Sequence, residues 1–524
     1  MEKNTGRMIT DPALTEKENT ASRRAAVGTE TKELTKEFTL PDYIPDVRRI
    51  VKSDARAALE ETGRTGGGAG WECTVTFSVT LLCEDGTVRN VILQGRQDGE
   101  VRLECEADET DGLYLDVRLE NSGIRASDPR KLTGRCRINV TAYGELPVRV
   151  EPELIGNEEG GKEPETRRET LEYTVIERFR IDDLRASYDI EFGSGEPEIN
   201  DIVECEVTPY ITSVRLDGTT AELRGEANVA ILYSDAEGGY HSRFATLALS
   251  AETEIDSGKP AGSRACARID EIKAAAQTNT YGEQKIIELD FSWGADLYVA
   301  YLRECRAVTD IYSTSDELEV KKGSVRLDRA LTSFTDRFSV KGESSAEDLS
   351  LSRAVSADAY SASARLESVT DTDAGDLEFK GAVTICLLCS ASDEGEKYAA
   401  GEMKLPFTYV RKVDAKEGKP ECSACVTLTG CRVKLEGGRF TADADLCICA
   451  MVIEPYTREV VTGATVTGPA EDDRPPLTLY YPAEGDDLWN IAKTYRVPAD
   501  SILARNGITA DALKTKKVIA VPGK

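Results

Sequence analysis

Two C-x-x-C pairs have the spacing in this sequence that best fits metal binding or thiol redox chemistry. They are Cys386/Cys389 and Cys422/Cys425, and two such pairs together would suit a zinc ribbon or a redox motif. The first pair, however, lies in a run of alternating residues that predicts a strand. Residues three apart in a strand point to opposite faces, so this pair cannot converge on a metal. We therefore predict no metal site and no cofactor.

Histidine is the usual general base near neutral pH, and the chain contains a single one, His241. It lies in the polar segment GGYHSRF, which is typical of an exposed loop. A single histidine leaves little basis for mixed Cys/His zinc sites or for His-based catalytic triads. The sequence also has no G-x-S-x-G nucleophile motif. We therefore expect a protein that is not an enzyme and has no catalytic residues.

The charge of the chain is strongly negative and unevenly distributed. The chain has 65 Lys and Arg residues against 94 Asp and Glu residues, a net charge of −29, whereas residues 477–524 have seven basic and five acidic side chains, or +2. An acidic body lacks the clustered basic surface that nucleic acid or an anionic membrane needs, so neither is expected as a partner. The contrast in sign also suggests that the C-terminal segment binds an acidic partner, such as the body of this same chain.

Targeting and membrane signals are not apparent. Residues 1–30 contain no apolar run that could act as a secretory signal, and no later window approaches the ~18 apolar residues of a membrane span. We therefore expect a cytoplasmic protein without membrane insertion. Its 14 cysteines would then be thiols in a reducing compartment.

The C-terminal segment, residues 477–524, combines a strand pattern, two helix patterns and a second strand. Asp486 or Asp487 stands where the first helix needs an N-cap, and the second helix ends at Asn506-Gly507, a favoured stop. This order predicts a small βααβ module. Its apolar positions are Leu477, Leu479 and Tyr481 in the first strand, Leu488, Ile491, Ala492 and Tyr495 in the first helix, Ile502 and Leu503 in the second helix, and Val518, Ile519 and Val521 in the last strand.

This segment closely resembles a LysM module. Two features depart from the family: Asp487 replaces the usual small hydroxyl residue, and Lys514-Thr515-Lys516 lacks the usual Gly before the last strand. LysM modules usually bind N-acetylglucosamine polymers, but some bind proteins, so both ligand classes stay open. The resemblance rests on Gly485, Asp486, Leu488, Ile491, Ala492, Tyr495, Val497, Leu503, Asn506, Val518, Val521 and Pro522.

The family's ligand groove lies between the first strand–helix loop and the loop before the last strand. Trp489, in the first helix, suits either a binding platform or simple packing, and Asn506 is expected to hold its turn. The added charge of Asp487 favours a protein partner over a neutral sugar. The resemblance implies a candidate groove formed by Gly485, Asp486, Asp487, Leu488 and Trp489 on one side and by Asn506, Gly507 and Ile508 on or near the other.

The rest of the chain repeats itself about every 150 residues. Three alternating strand patterns, beginning at Glu72, Ala221 and Asp376, mark the repeat, and each has one apolar and one polar face. Such strands are typical of antiparallel sheets that cover a core on one side. Upstream of them, Pro45-Asp46-Val47 recurs 152 residues later as Pro197-Glu198-Ile199. We predict a mainly β protein with three tandem, sandwich-like repeats.

The charged, Gly- and Pro-bearing stretches between these patterns predict linkers, since they cannot bury enough apolar surface to become ordered. The same composition predicts a disordered N-terminus. The expected segments are a disordered N-terminus (1–30), repeat 1 (31–150), a linker (151–170), repeat 2 (171–318), a degenerate repeat 3 (325–461), a second linker (462–476) and the LysM module (477–524).

The body also resembles a known family. The segment FTLPDYIPDVRRIV from Phe38, the alternating strands and the single C-terminal LysM module are similar to the SPOCS (DUF3794) repeat proteins of endospore-forming bacteria. The resemblance covers roughly residues 31–524, and repeat 1 matches best. In that family the LysM module is understood to bind the ATPase that polymerises around the forespore inside the mother cell.

The resemblance implies a scaffold of spore coat assembly at the forespore surface. Its LysM module would dock on the coat morphogenetic ATPase, and its repeats would bind other coat proteins. The alternative is a protein that binds peptidoglycan, an N-acetylglucosamine polymer, through LysM. That alternative needs access to the wall or the spore cortex, for which the sequence shows no export route.

Overall fold

The computed structural model describes residues 20–65, 67–104, 111–155, 163–356, 359–372, 375–393, 396–470, 475–483, 486–509 and 517–523. Strands dominate these residues, and the helices among them lie in the C-terminal module. None of the helices in this part of the chain has the length and apolar run that a membrane span requires.

Three consecutive units share one fold of six antiparallel strands in two sheets. In one sheet the first strand pairs with the sixth and the sixth with the fifth, and in the other the second, third and fourth strands pair in order. Repeat 1 contains β1 (Thr20–Thr39), β2 (Val47–Thr65), β3 (Gly68–Cys83), β4 (Val88–Arg102), β5 (Asp111–Asp128) and β6 (Lys131–Arg149). The short strand β7 (Glu153–Ile155) follows.

Repeats 2 and 3 have the same strand order, and a small module follows them. Repeat 2 contains β8 (Glu165–Glu191), β9 (Asp201–Asp217), β10 (Thr220–Ser234), β11 (Tyr240–Glu254), β12 (Lys259–Thr278) and β13 (Gln284–Tyr312). Repeat 3 contains β14 (Asp316–Ser345), β15 (Ala359–Asp371), β16 (Asp376–Asp393), β17 (Glu396–Lys412), β18 (Glu421–Glu436) and β19 (Arg439–Pro469). The C-terminal module contains β20 (Leu477–Tyr480), α1 (Leu488–Tyr495), α2 (Ala499–Asn506) and β21 (Ile519–Pro522).

The two sheets of each repeat enclose a core, as the alternation of the central strands predicts. The apolar face of β3 packs against β6 in repeat 1, that of β10 against β13 in repeat 2, and that of β16 against β19 in repeat 3. The mainly β, sandwich-like prediction is therefore confirmed, and the degenerate third repeat keeps the fold. The fully buried residues of β3 include Trp71, Cys73, Val75, Phe77, Val79 and Leu81.

Two further apolar cores join the three repeats to one another. One contains Leu82 of β3, Leu232 of β10 and Leu388 of β16, which stand at corresponding positions of the three repeats. Each leucine breaks the alternation of its strand and so points away from its own sandwich. The other core gathers the ends of the first and sixth strands of every repeat. Equivalent surfaces of all three repeats thus meet, which the sequence pattern does not reveal.

The predicted disorder of residues 1–30 is wrong for residues 20–30, which belong to β1. That strand pairs with β6 along its whole length, from Thr20 opposite Arg149 to Thr39 opposite Lys131. Ala21 is completely buried in the core that joins the repeats. The few apolar side chains of this polar segment thus find partners far away in sequence, which local composition cannot show. Residues 1–19 lie outside the described residues.

Both predicted linkers are also wrong over much of their length. Within 151–170, β7 adds to repeat 3 by pairing parallel with β19, where Glu153 lies opposite Gly463, and β8 begins at Glu165. Within 462–476, β19 continues to Pro469. These polar segments are ordered despite their composition because their backbones form hydrogen bonds with the edges of neighbouring strands. Residues 156–162 and 471–474 lie outside the described residues.

Candidate functional site

Two adjacent aspartates organise the start of the C-terminal module. Asp487 is the N-cap of α1, because its Oδ1 accepts a hydrogen bond from the backbone N–H of Asn490 at 2.7 Å. Asp486 instead accepts from the Tyr480 hydroxyl at 2.8 Å and from the backbone N–H of Ala483 at 2.7 Å. The sequence left the identity of the cap open between the two, and the structure assigns it to Asp487.

The first strand of the module presents its apolar residues to the outside. Leu477 and Leu479 are exposed, as is Tyr481 just after the strand, whereas Tyr480 packs into the module core. Tyr480 also contacts Tyr495 edge-to-face at 5.9 Å between ring centroids. The odd-numbered apolar residues of this strand therefore face outward, and the even-numbered Tyr480 faces the module core.

The other side of the predicted groove is held by Asn506. Its Nδ2 donates to the carbonyl oxygens of Ile502 and Ala520, and its Oδ1 accepts from the Ala520 N–H at 2.8 Å, so it fastens α2 to β21. Gly507 caps α2 in the left-handed conformation with φ of 57°. Ile508 packs against the module core. The expectation that Asn506 holds its turn is confirmed.

The helix α1 docks on the body through an aspartate of β13. Asp310 accepts a hydrogen bond from Trp489 Nε1 at 2.7 Å and another from Lys493 Nζ at 2.5 Å. The ring of Trp489 also meets Tyr312 edge-to-face, with 4.9 Å between ring centroids. Of the two roles that the sequence left open for Trp489, the structure shows packing, but against the body rather than within the module alone.

Further contacts between the module and the body surround Trp489 and Tyr312. The Tyr312 hydroxyl donates to the carbonyl oxygen of Val497 at 2.8 Å, in a buried position, and Tyr312 belongs to the apolar core of the module. Arg496 Nη2 donates to Glu317 at 2.5 Å. Basic residues of the module thus meet acidic residues of the body, in agreement with the contrast in charge between the two parts of the sequence.

The mouth of the predicted groove also touches the body, but loosely. Arg167 of β8 donates to Asp487 Oδ2 at 3.0 Å, and both side chains keep substantial exposure, 51% and 40%. Exposed ion pairs contribute only about 0–1 kcal/mol. A partner could therefore replace Arg167 at Asp487 at little cost in free energy.

The predicted groove residues therefore have several different roles in the structure. Asp486 and Asn506 organise turns, Leu488 and Ile508 pack in the module core, and Trp489 lies on the body. Asp487 and Gly507 keep exposed surface. Gly485 lies outside the described residues, as do residues 510–516 of the loop before the last strand. Ligand binding by the eight residues remains a prediction.

Acidification is expected to weaken the contact of the module with the body. Burial alone would raise the pKa of Asp310, but the hydrogen bonds from Lys493 and Trp489 outweigh it and hold that pKa below its usual value. A depressed carboxyl pKa stabilises the docked state above the free-carboxyl pKa of about 3.9, and this stabilisation is lost as the pH falls through the docked value. Docking should therefore weaken below about pH 4.

Acrylamide quenching of tryptophan fluorescence measures this release, because Trp71 and Trp293 are buried whereas Trp489 becomes accessible on undocking. The matched control is Asp310→Asn, which keeps the shape but cannot titrate. The expectation fails if wild type and Asp310→Asn show the same change in quenching with pH.

His241 lies in strand β11 and is partly buried, so the exposed loop that the sequence predicts for it is wrong. His241 is the second residue of β11 and lies opposite Tyr233 of β10. Its Nε2 lies 2.7 Å from Asp235 Oδ2 in the preceding turn. Cys386 faces the core between the repeats, whereas Cys389 faces the sandwich core of repeat 3. The opposite facing predicted for this pair is therefore confirmed.

Comparison with known proteins identifies one part of the chain. The LysM domain family matches residues 483–522, so the chain carries a LysM domain, which indicates a capacity to bind peptidoglycan or another N-acetylglucosamine polymer. No curated protein matches the chain. The βααβ order of the module agrees with the LysM assignment that the sequence predicts.

Proposed function

We propose that this protein is a non-enzymatic scaffold of endospore coat assembly, of the SipL type. In this proposal the LysM domain docks on the coat morphogenetic ATPase, and the three repeats bind other coat proteins at the forespore surface in the mother cell. The resemblance of the body to SPOCS repeats supplies the coat setting. We choose a protein ligand over a sugar because of the side chains that form the contact between α1 and the body.

That contact supports a protein ligand, because charged side chains make it. Trp489 and Lys493 both bind one carboxylate of the body, and Asp487 binds a guanidinium. Neutral sugars offer neither charge, whereas protein surfaces offer both. Because the Asp487–Arg167 pair is exposed, an arginine or lysine of a partner can take the place of Arg167 without undocking the module.

The body supports a scaffold role in a different way. Its repeats share two apolar cores and are joined by β7, so they form one continuous platform rather than domains on flexible tethers. The LysM domain lies on this platform near the junction of repeats 2 and 3, beside Asp310 and Glu317. A partner held by the module would thus be placed at a defined position relative to the repeats.

Peptidoglycan binding is the second candidate, because the LysM family match favours it. It predicts that Asp487 is dispensable, since the family usually has a hydroxyl residue there. The substitution Asp487→Ser separates the two candidates. Serine caps a helix about as well as aspartate, so α1 should persist while the charge at the groove mouth disappears.

The full chain, tagged and added to lysate of sporulating cells, is expected to capture the coat ATPase even in excess soluble N-acetylglucosamine oligomers. Asp487→Ser should weaken the affinity for the ATPase by about tenfold, equivalent to 1.4 kcal/mol, and so lower its recovery. The matched control is Asp500→Ser, at an exposed aspartate of α2, which should leave recovery unchanged. Recovery of wall fragments alone, abolished by the sugar and retained by Asp487→Ser, would overturn the proposal in favour of peptidoglycan binding.

A further inference from the structure

Three cysteines from two different repeats meet at the boundary between repeats 2 and 3. Cys266 of β12 lies with its sulfur 2.6 Å from the sulfur of Cys425 of β18. Cys449 of β19 is the register partner of Cys425 across the sheet of repeat 3. Cys425 thus stands between a thiol of its own repeat and a thiol of the neighbouring repeat, and 159 residues separate it from the latter.

The strands that carry these sulfurs are held in place by other contacts across the same boundary. The backbone N–H of Ser263 donates to Ser333 Oγ at 3.2 Å, and Asn228 Nδ2 donates to the carbonyl oxygen of Leu428 at 2.6 Å. The approach of Cys266 to Cys425 therefore belongs to a packed interface. Both cysteines retain partial exposure to solvent, whereas Cys449 is buried.

A buried cation accompanies the three thiols. Arg264 is only 8% exposed, and its Nη1 donates to the Cys266 sulfur at 3.1 Å. Its Nε has no hydrogen-bond partner among the described residues, and its guanidinium lies over the ring of Tyr298 at 4.6 Å. A guanidinium beside a sulfur favours the thiolate, the form that reacts with oxidants.

The hydrogen bonds within the cluster also favour ionisation of Cys266. The hydrogen bond with Cys425 chiefly lowers the pKa of Cys449 to about 6, and the contact with Cys425 also lowers the pKa of Cys266, where Arg264 adds to the effect. The pKa of Cys425 is raised, chiefly by its hydrogen bonds with Cys266 and Cys449 and also by burial. Cys266, which has the Arg264 guanidinium beside its sulfur, is thus the cysteine of the pair whose ionisation is favoured, and Cys425 faces it.

We propose that Cys266 and Cys425 form a redox modification site, at which a hydroperoxide such as hydrogen peroxide creates a disulfide between repeats 2 and 3. The Cys266 thiolate attacks the peroxide, the O–O bond breaks, and a sulfenic acid forms with release of hydroxide. The Cys425 sulfur then displaces the sulfenic oxygen, which leaves with the thiol proton as water. Two thiols are oxidised by two electrons in total, and one peroxide is reduced to two waters.

The disulfide would add a covalent cross-link between two repeats whose interface is otherwise non-covalent. Disulfides between residues distant in sequence restrict the unfolded chain most, since the closed loop is long. The proposal stands independently of the ligand of the LysM domain. It requires an oxidant but neither a metal nor a cofactor.

The test uses the full chain, reduced, desalted and treated with one equivalent of hydrogen peroxide near neutral pH, then alkylated with N-ethylmaleimide in denaturant so that buried thiols also react. Two of the 14 thiols should become unreactive. A non-reducing tryptic map should show peptide 265–268 linked to peptide 417–432. Because the second peptide also contains Cys422 and Cys431, fragmentation of the linked species must place the bond at Cys425.

Variants that change one sulfur at a time complete the test. Cys425→Ser should abolish the linkage, whereas the matched control Cys422→Ser, in the same strand, should preserve it, and Cys449→Ser should preserve it too. An unchanged thermal midpoint of the reduced variants shows that each one folds. The proposal is overturned if peptide 265–268 stays fully alkylated, if Cys425→Ser still forms the link, or if Cys425 pairs with Cys449 instead.

Discussion

Replacing Lys52 by methionine is expected to lower the free energy of unfolding by about 3–5 kcal/mol. Lys52 of β2 places its Nζ 2.9 Å from Glu204 Oε1 and 2.9 Å from Glu206 Oε2, both on β9. Burial alone would lower the pKa of Lys52, but the two carboxylates outweigh it and raise that pKa. Methionine fills the space but removes the buried counter-ion of Glu204 and leaves Glu206 with only Arg56, at 3.9 Å, which is the costly way to break such a cluster.

The position of this cluster makes the effect global. Glu204 also accepts from Thr80 of repeat 1 at 2.7 Å, and Glu206 accepts from Ser361 of repeat 3 at 2.7 Å. The cluster therefore connects all three repeats beside one of their shared cores. Loss of Lys52 should weaken the association of the repeats as well as the fold of repeat 1.

Urea unfolding followed by far-ultraviolet circular dichroism measures the change. The matched control is Lys341→Met, which removes a lysine whose side chain is 76% exposed and whose partner is Asp443 at 2.8 Å. Exposed pairs contribute about 0–1 kcal/mol, so this control should change little. Equal losses in the two variants would show that the buried cluster has no special role.

Replacing Tyr312 by alanine is expected to release the LysM domain from the body, with a loss of about 3–5 kcal/mol of docking free energy. Tyr312 is 5% exposed and packs in the apolar core of the module although it belongs to β13. Alanine would leave a cavity beneath Trp489 and would remove the donor to the Val497 carbonyl oxygen. Tyr312→Phe keeps the ring and should lose only about 0.5–1.5 kcal/mol.

Amide hydrogen exchange across β13 and α1 measures this release. In Tyr312→Ala the amides of α1 should exchange faster while those of the sandwich cores stay protected. The control is Tyr281→Ala, which removes an 87% exposed ring from a turn and should change neither region. Unaltered protection of α1 in Tyr312→Ala would contradict the docked arrangement.

Much of the secondary structure could be predicted because single strands and helices carry their own signals. The buried face of β3 follows from strict alternation, and the βααβ order follows from caps such as Asp487 and Gly507. The repeat of about 150 residues also predicts three copies of one fold. Composition, by contrast, gave the wrong state for residues 20–30, since Ala21 is buried by strands far away in sequence.

The arrangement of the repeats and the use of the candidate site depend on contacts between distant residues. Lys52 and Glu204 are separated by 152 residues, and Trp489 and Asp310 by 179, and no local pattern marks such partners. Leu82 could have given a signal, because it breaks the alternation of β3 and so needs a second apolar surface to cover it. The contrast in charge between module and body was the one feature that indicated their contact.

The binding of the purified full chain to the purified coat ATPase, measured by titration calorimetry with and without an N-acetylglucosamine hexamer, tests the proposed function most directly. If the LysM domain docks on the ATPase, binding should be saturable, unchanged by the sugar and about tenfold weaker in Asp487→Ser. Absence of heat with the ATPase, together with saturable binding of the hexamer that Asp487→Ser retains, would contradict the proposed function.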